Sequence, residues 1–229
     1  AMSTVMTTSL SKVLEQVEAA ACRSGRDPQE IRLVAVTKGV SLDRIREVIA
    51  AGTVILGENR IQEALPKITV LGPGIPWHFI GHLQTNKARQ AVGRFELIHS
   101  VDRLELAEEL NRRAAHKGII QKILIQVNIA GEAAKKGVLP NQAPELIRAV
   151  AAMPHLEMLG LMTIPPLPKS PEESRPHYKR LYELAQAIQS ETGVSMKELS
   201  MGMTADFEVA IEEGATLIRV GTAIFGRGD

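Results

Sequence analysis

The 229-residue chain has one cysteine, Cys22, and a single thiol excludes both an internal disulfide and a zinc site built on paired cysteines. Aromatic residues make up 3% of the sequence, too few for the stacking platforms that bind single-stranded nucleic acid. Neither sign of charge dominates. Lys and Arg number 27 against 26 Asp and Glu, a net charge of +1, which removes the electrostatic case for nucleic acid or an anionic membrane. No apolar run is long enough to span a bilayer. The opening residues, Ala1-Met2-Ser3-Thr4, lack the basic-then-apolar order of a secretory signal, so a cytoplasmic protein is expected. Also missing are a GxSxG elbow and a P-loop; His78 and His82 stand four apart, but His78 lies in an expected strand and His82 just past it, not on one helix face, so with His99 they make no expected metal site. Cys22 lies in a helical pattern and reads as a buried or half-buried residue without a nucleophile's setting.

What the chain does have is short apolar runs separated by helical patterns. Leu10, Val13, Leu14, Val17, Ala20 and Ala21 recur at helical spacing and give a leading helix that stops near Gly25. Strand-like segments follow at 33–37, 54–56, 77–81, 95–100, 123–128, 156–164, 198–201 and 216–220. Ser41 is placed to cap a helix with the stripe Leu42, Ile45, Val48 and Ile49, which Gly52 ends. Pro66 is expected to bend or end the helical stretch that begins near Arg60. Asp102 with Glu105 resembles a capping box ahead of Leu104, Ala107 and Leu110, and a later helix covers about 174–190. Strands that are apolar throughout, short connections and β-then-α alternation over about 200 residues fit a (β/α)8 barrel with an extra N-terminal helix. A doubly wound open sheet is the alternative, but the first strand is not followed by a glycine-rich dinucleotide turn. The barrel uses nearly the whole chain, so residues 1–229 are expected to form one domain.

In such a barrel the chemistry belongs at the C-terminal ends of the strands. Those ends carry Lys38, Asn59, His82, Ser100, Asn128, Thr163, Met201 to Thr204, and Gly221-Thr222. Lys38 directly follows Leu33-Val34-Ala35-Val36-Thr37. It reads either as a snorkelling strand-end lysine or as a partly desolvated amine nucleophile able to form Schiff bases. Thr204 is either the N-cap of the next helix or part of an anion site at that helix start. Gly221 lets backbone approach a ligand, and phosphate sites recur after the last two strands of such barrels. Asp206 and Glu208 must then point away. Arg219 sits among apolar neighbours, facing either a helix outside or the interior, where it would need a buried partner or a cofactor. The run 132–137 is a solvated loop or a flap near the mouth.

Five motifs together resemble one family. They are Ala35-Val36-Thr37-Lys38, Gly57-Glu58-Asn59-Arg60-Ile61-Gln62-Glu63, Trp77-His78-Phe79-Ile80-Gly81-His82-Leu83-Gln84-Thr85-Asn86-Lys87, Leu199-Ser200-Met201-Gly202-Met203-Thr204 and Arg219-Val220-Gly221-Thr222-Ala223-Ile224-Phe225-Gly226. Over about residues 10–227 the chain resembles the YggS/PROSC family, the pyridoxal phosphate homeostasis proteins, whose barrel is similar to the N-terminal domain of alanine racemase (fold type III). The resemblance implies that Lys38 holds pyridoxal 5′-phosphate as an internal aldimine. It implies that Ser200, Thr204, Gly221 and Thr222 surround the phosphate, with threonine at 204 where the family usually has serine. Asn59 and Met201 would flank the ring, and Arg219 would face the pyridine nitrogen or the phosphate.

A racemase needs two opposed acid/base groups. In alanine racemase-like enzymes the second is a tyrosine from an additional C-terminal domain of the partner subunit. Here the sequence ends at Asp229, and Tyr178 and Tyr182 are placed in the sixth helix region, away from the rim. The expectation is a monomer that binds and delivers, buffers or protects pyridoxal phosphate without clear turnover, with pyridoxal phosphate-dependent apo-enzymes as recipients. Two alternatives stand beside it: a single-domain pyridoxal phosphate-dependent amino-acid racemase, and a cofactor-free barrel of the phosphosugar isomerase type.

Overall fold

The computed structural model describes residues 2–52, 55–133 and 135–226; Val54 of the second expected strand and Ala134 of the 132–137 run lie outside them. Helix α1 (Met2–Arg23) comes first. Then strands and helices alternate: β1 (Arg32–Val36), α2 (Leu42–Ala51), β2 (Ile55–Glu58), α3 (Ile61–Leu71), β3 (Trp77–Phe79), α4 (Ala88–Ala91), β4 (Leu97–Val101), α5 (Leu104–Lys117) and β5 (Gln121–Gln126). The second half continues with α6 (Ala143–Ala151), β6 (Leu156–Met162), α7 (Pro171–Thr192), β7 (Glu198–Ser200), α8 (Phe207–Glu212), β8 (Leu217–Val220) and α9 (Thr222–Phe225). The eight strands are parallel and close into a barrel in sequence order. β8 pairs with β1, setting Arg219 beside Val34. The fold is the (β/α)8 barrel and not the open sheet.

The strands read as apolar throughout because both of their faces are covered. Side chains alternate along each strand, so one set fills the barrel and the other meets the helices. Val34, Ile55, Leu97, Leu124, Met162 and Leu217 pack together inside. Ala35, Leu56, Ile98, Ile125, Leu161, Ile218 and Val220 join the larger outer layer beneath the helices. In β8 this places Leu217 and Arg219 inward and Ile218 and Val220 outward, which decides the direction of the anomalous arginine. Helix α1 packs on α2, α8 and α9, across the seam where the first and last strands meet. Arg26, just after it, donates to the carbonyls of Ile211 (2.8 Å) and Ala215 (2.7 Å).

Several local expectations are corrected. Cys22 and Leu14 are exposed, since the buried stripe of α1 among the described side chains runs through Leu10, Val13, Val17, Ala20 and Ala21. Ser41 does cap α2, accepting from the Arg44 N–H at 3.4 Å. Asp102 does not cap α5: Arg103 holds that place, and the Asp102 carboxylate accepts from the Gly137 N–H (3.0 Å) and pairs with Arg103. Helix α3 runs through Pro66. Pro66 and Gln62, whose carbonyl loses its N–H partner, are both exposed, so water can serve the freed group. Thr204 does not cap α8 either. Residues 204–206 form a turn, the cap is Asp206, and the helix begins at Phe207.

Candidate functional site

A cavity of about 680 Å³ opens where the C-terminal ends of the strands lead into their loops. It gathers Lys38, Thr204, Arg219, Gly221 and Thr222, which come from three separate strand ends. The remaining expected residues lie close by but not on its wall. Asn59 lines a smaller adjoining hollow of about 220 Å³, and Lys135 and Ile164 line both spaces. Ser200 and Met201 are fully buried. A further hollow of about 710 Å³ is formed by residues that precede β3 and β4, at the opposite end of the barrel, and none of the expected residues reaches it.

Four cations line the main cavity among the described residues, Lys38, Arg44, Lys135 and Arg219, against one carboxylate, Asp206. That carboxylate is turned into the protein. Its Oδ2 accepts from Ser174 and Tyr178 hydroxyls, both at 2.7 Å, and its Oδ1 from the Met203 N–H at 2.9 Å. Glu208 faces α1, 4.0 Å from Arg23. The cavity therefore presents positive charge, which suits an anion. The loops after β7 and β8 are tied together by the Ala223 N–H, which donates to Thr204 Oγ1 at 3.4 Å. Lys38 lies in the turn after β1 and is exposed, so the partial desolvation expected of it is absent. Its place over the cavity, on the strand beside the one that ends in Gly221 and Thr222, is what distinguishes it.

Arg219 is 2% exposed, and burial lowers its pKa to about 10, leaving it charged at neutral pH. Its guanidinium donates to Ser200 Oγ (2.6 Å) and to the Thr163 carbonyl (2.8 Å). Beneath it runs a buried file. Ser200 Oγ lies 2.9 Å from His99 Nδ1, and His99 Nε2 lies 2.9 Å from His78 Nδ1. His78 Nε2 stands 3.7 Å from Glu96. Hydrogen bookkeeping fixes the direction. Arg219 can only donate, so the Ser200 proton goes to His99, His99 Nε2–H goes to His78, and His78 Nε2–H faces the Glu96 carboxylate. The reverse order would strand the serine proton and set a lone pair against that carboxylate. Burial, then the neighbouring His78 and Arg219, hold His99 well below the ordinary imidazole range, so it stays neutral.

Tyr178 corrects another expectation, for it lines this cavity instead of lying away from the rim. It is fully buried, and burial followed by Asp206 raises its pKa, so the phenol keeps its proton. Sequence reasoning placed Tyr178 away from the rim, reached Lys135 only as part of the 132–137 run near the mouth, and did not single out Arg44. They reach the rim through helix and loop packing, which no strand-end pattern reports.

A closed parallel barrel with a rim lysine sharing its cavity with a glycine-threonine turn defines a class. Residues 9–228 match the family described as alanine racemase, N-terminal domain. A pyridoxal phosphate homeostasis protein of Aquifex aeolicus (strain VF5) is 46% identical over 218 residues, covering 95% of this chain and 96% of that protein. Two solved structures share the fold over nearly their full length. One, an unknown protein from Bifidobacterium adolescentis, has a TM-score of 0.92 at 36% identity and covers 98% of this chain and 96% of its own. The other, PipY of Synechococcus elongatus PCC7942 with PLP bound, has a TM-score of 0.82 at 38% identity and covers 93% and 100%. The chain belongs to the pyridoxal phosphate homeostasis protein family.

Proposed function

We propose that this protein binds pyridoxal 5′-phosphate through Lys38 and serves intracellular vitamin B6 and amino-acid homeostasis without turning over an amino acid. The observation that carries this reading is the sharing of one cationic cavity by Lys38, Thr204, Gly221 and Thr222. The residues fit the group. A Cβ at Gly221 would stand 3.3 Å from Val36 Cβ and 3.4 Å from its carbonyl oxygen, so glycine lets the end of β8 lie close against β1, beside Lys38. Bound in the cavity, the cofactor supplies an aldehyde that condenses with an amine and a phosphate that carries negative charge. Lys38 is the amine within reach, and the hydroxyls of Thr204 and Thr222 with the surrounding cations suit the phosphate. Arg219 is donor-only, so it favours an unprotonated acceptor, a ring nitrogen or a phosphate oxygen. Ser200 acts in this reading by orienting Arg219, and Asn59 borders the ring from the adjoining hollow; Met201, which packs in the outer layer beneath the helices, does not reach the cavity and is not kept as a ring neighbour.

The absence of turnover is the finer part of the proposal. The Tyr178 hydroxyl donates its hydrogen bond to Asp206, which leaves it poorly placed as a second acid/base group. Among the described residues no helix is long and apolar enough to cross a membrane. A cytoplasmic, monomeric, one-domain carrier with apo-enzymes as recipients completes the reading. Incubation with pyridoxal phosphate, borohydride reduction and intact-mass measurement test it. The parent protein gains one reduced cofactor and Lys38→Ala gains none; the same adduct in the variant would overturn the assignment of Lys38. Single-enantiomer amino acids keep their optical activity in its presence, and steady Lys38-dependent loss would mean a racemase.

A further inference from the structure

The turn that carries Lys38 is gripped from outside the barrel wall. Glu58 ends β2 and points away from the interior, fully buried. Lys67 reaches it from α3 and is itself 8% exposed. The Lys67 ammonium donates to the Thr37 carbonyl (2.7 Å), to Glu58 Oε2 (3.0 Å) and to Glu63 Oε2 (2.7 Å). Those three acceptors use all three of its N–H groups. Glu63 Oε2 also accepts from the Gly39 N–H at 2.7 Å, and the Thr37 hydroxyl donates to Glu58 Oε2. One ammonium and two carboxylates thus hold the backbone on both sides of Lys38.

Buried ion pairs are poor devices for stability, because desolvation offsets most of their attraction. This one even leaves Glu58 Oε1 buried with no partner, and burial raises the Glu58 pKa. What the triad does deliver is position. Gly39 has a φ of 70°, in the left-handed region, so the turn reverses sharply just beyond Lys38 and depends on outside contacts to stay in place. We propose that Lys67, with Glu58 and Glu63, positions Lys38 by pinning Thr37 and Gly39, so that its amine is presented to the cavity. The inference rests on the reading of Lys38 as the cofactor-binding amine. Lys67, buried with every donor engaged, is held out of that chemistry.

The test is the rate at which pyridoxal phosphate becomes trapped on Lys38, read by borohydride quench and peptide mass, beside the melting temperature. Glu63→Ala releases the Gly39 N–H. It slows trapping about tenfold, since small misplacement of a reacting group costs that much or more, and leaves melting within a few degrees. Glu63→Gln keeps an acceptor for Gly39 and restores most of the rate. Lys67→Met slows trapping at least as much wherever it folds; where it does not, the Glu63 pair decides. Trapping at the parental rate in Glu63→Ala, or no recovery in Glu63→Gln, would overturn the positioning role. An adduct that survives Lys38→Ala would instead overturn the reading of Lys38, so the two failures are distinguishable.

Discussion

At the scale of single residues, Arg219 shows how a buried charge is kept and what it is kept for. Its guanidinium is held by Ser200 and Thr163 and opens on the cavity with donors to spare. A hydrogen bond to a charged group is worth about 1.5–3 kcal/mol, roughly tenfold or more in affinity. Arg219→Gln should therefore release pyridoxal phosphate about tenfold faster on dialysis after loading. Equal retention would mean that the guanidinium serves the barrel and not the cofactor. This residue was legible in the sequence because a charge at period two inside an apolar strand has few places to go. Lys67 was not, since nothing in a helix pattern says that one of its lysines ends beneath a strand-end turn. Tyr178 was misread for the same reason: its place at the cavity is set by how α7 packs on the barrel.

At the scale of elements, the strands were legible and their edges were not. An apolar run long enough to be covered on both faces announces itself, whereas the exact stop depends on turns that tertiary contacts settle. The start of α8 is an example: the Met203 N–H bonds to Asp206 Oδ1, and this local turn displaces the helix start from Thr204 to Phe207. Glycine marks a second hidden feature. The register between β5 and β6 slips between Ile123 and Leu124, leaving Gly160 opposite Leu124. A Cβ on Gly160 would lie 1.8 Å from the Glu198 carbonyl oxygen of β7, and backbone there has no room to yield. Gly160→Ala should cost about 3 kcal/mol, the upper end of ordinary overpacking, measured as a lower urea midpoint with circular dichroism. An unchanged midpoint would mean that β6 and β7 can part there without loss.

At the scale of the whole molecule, the two histidines inside the barrel tie stability to pH. Burial lowers the pKa of His78 and of His99, so below about pH 6.5 the unfolded chain binds protons that the folded one refuses. Their contribution is complete above that pH and is lost as pH falls through it, at up to about 1.4 kcal/mol per pH unit for each histidine. Glu58 acts in the opposite sense: burial raises its pKa, so its share of stability falls as pH rises above the ordinary carboxyl range. Urea unfolding should give a lower midpoint at about pH 5.5 than at about pH 7.5, with a shallower slope for His99→Asn. A slope that His99→Asn leaves untouched would mean that the loss arises elsewhere.

The pairing of β8 with β1 has one more consequence, for the order in which the molecule comes into being. Lys38 leaves the ribosome long before Gly221 and Thr222, and the ladder that joins β1 to β8 is the most non-local in the fold. Until β8 emerges, the nascent chain therefore carries an amine with no pocket around it. Any capture in this cavity waits for β8, and a polypeptide released before residue 217 would be born without the wall that Arg219, Gly221 and Thr222 supply.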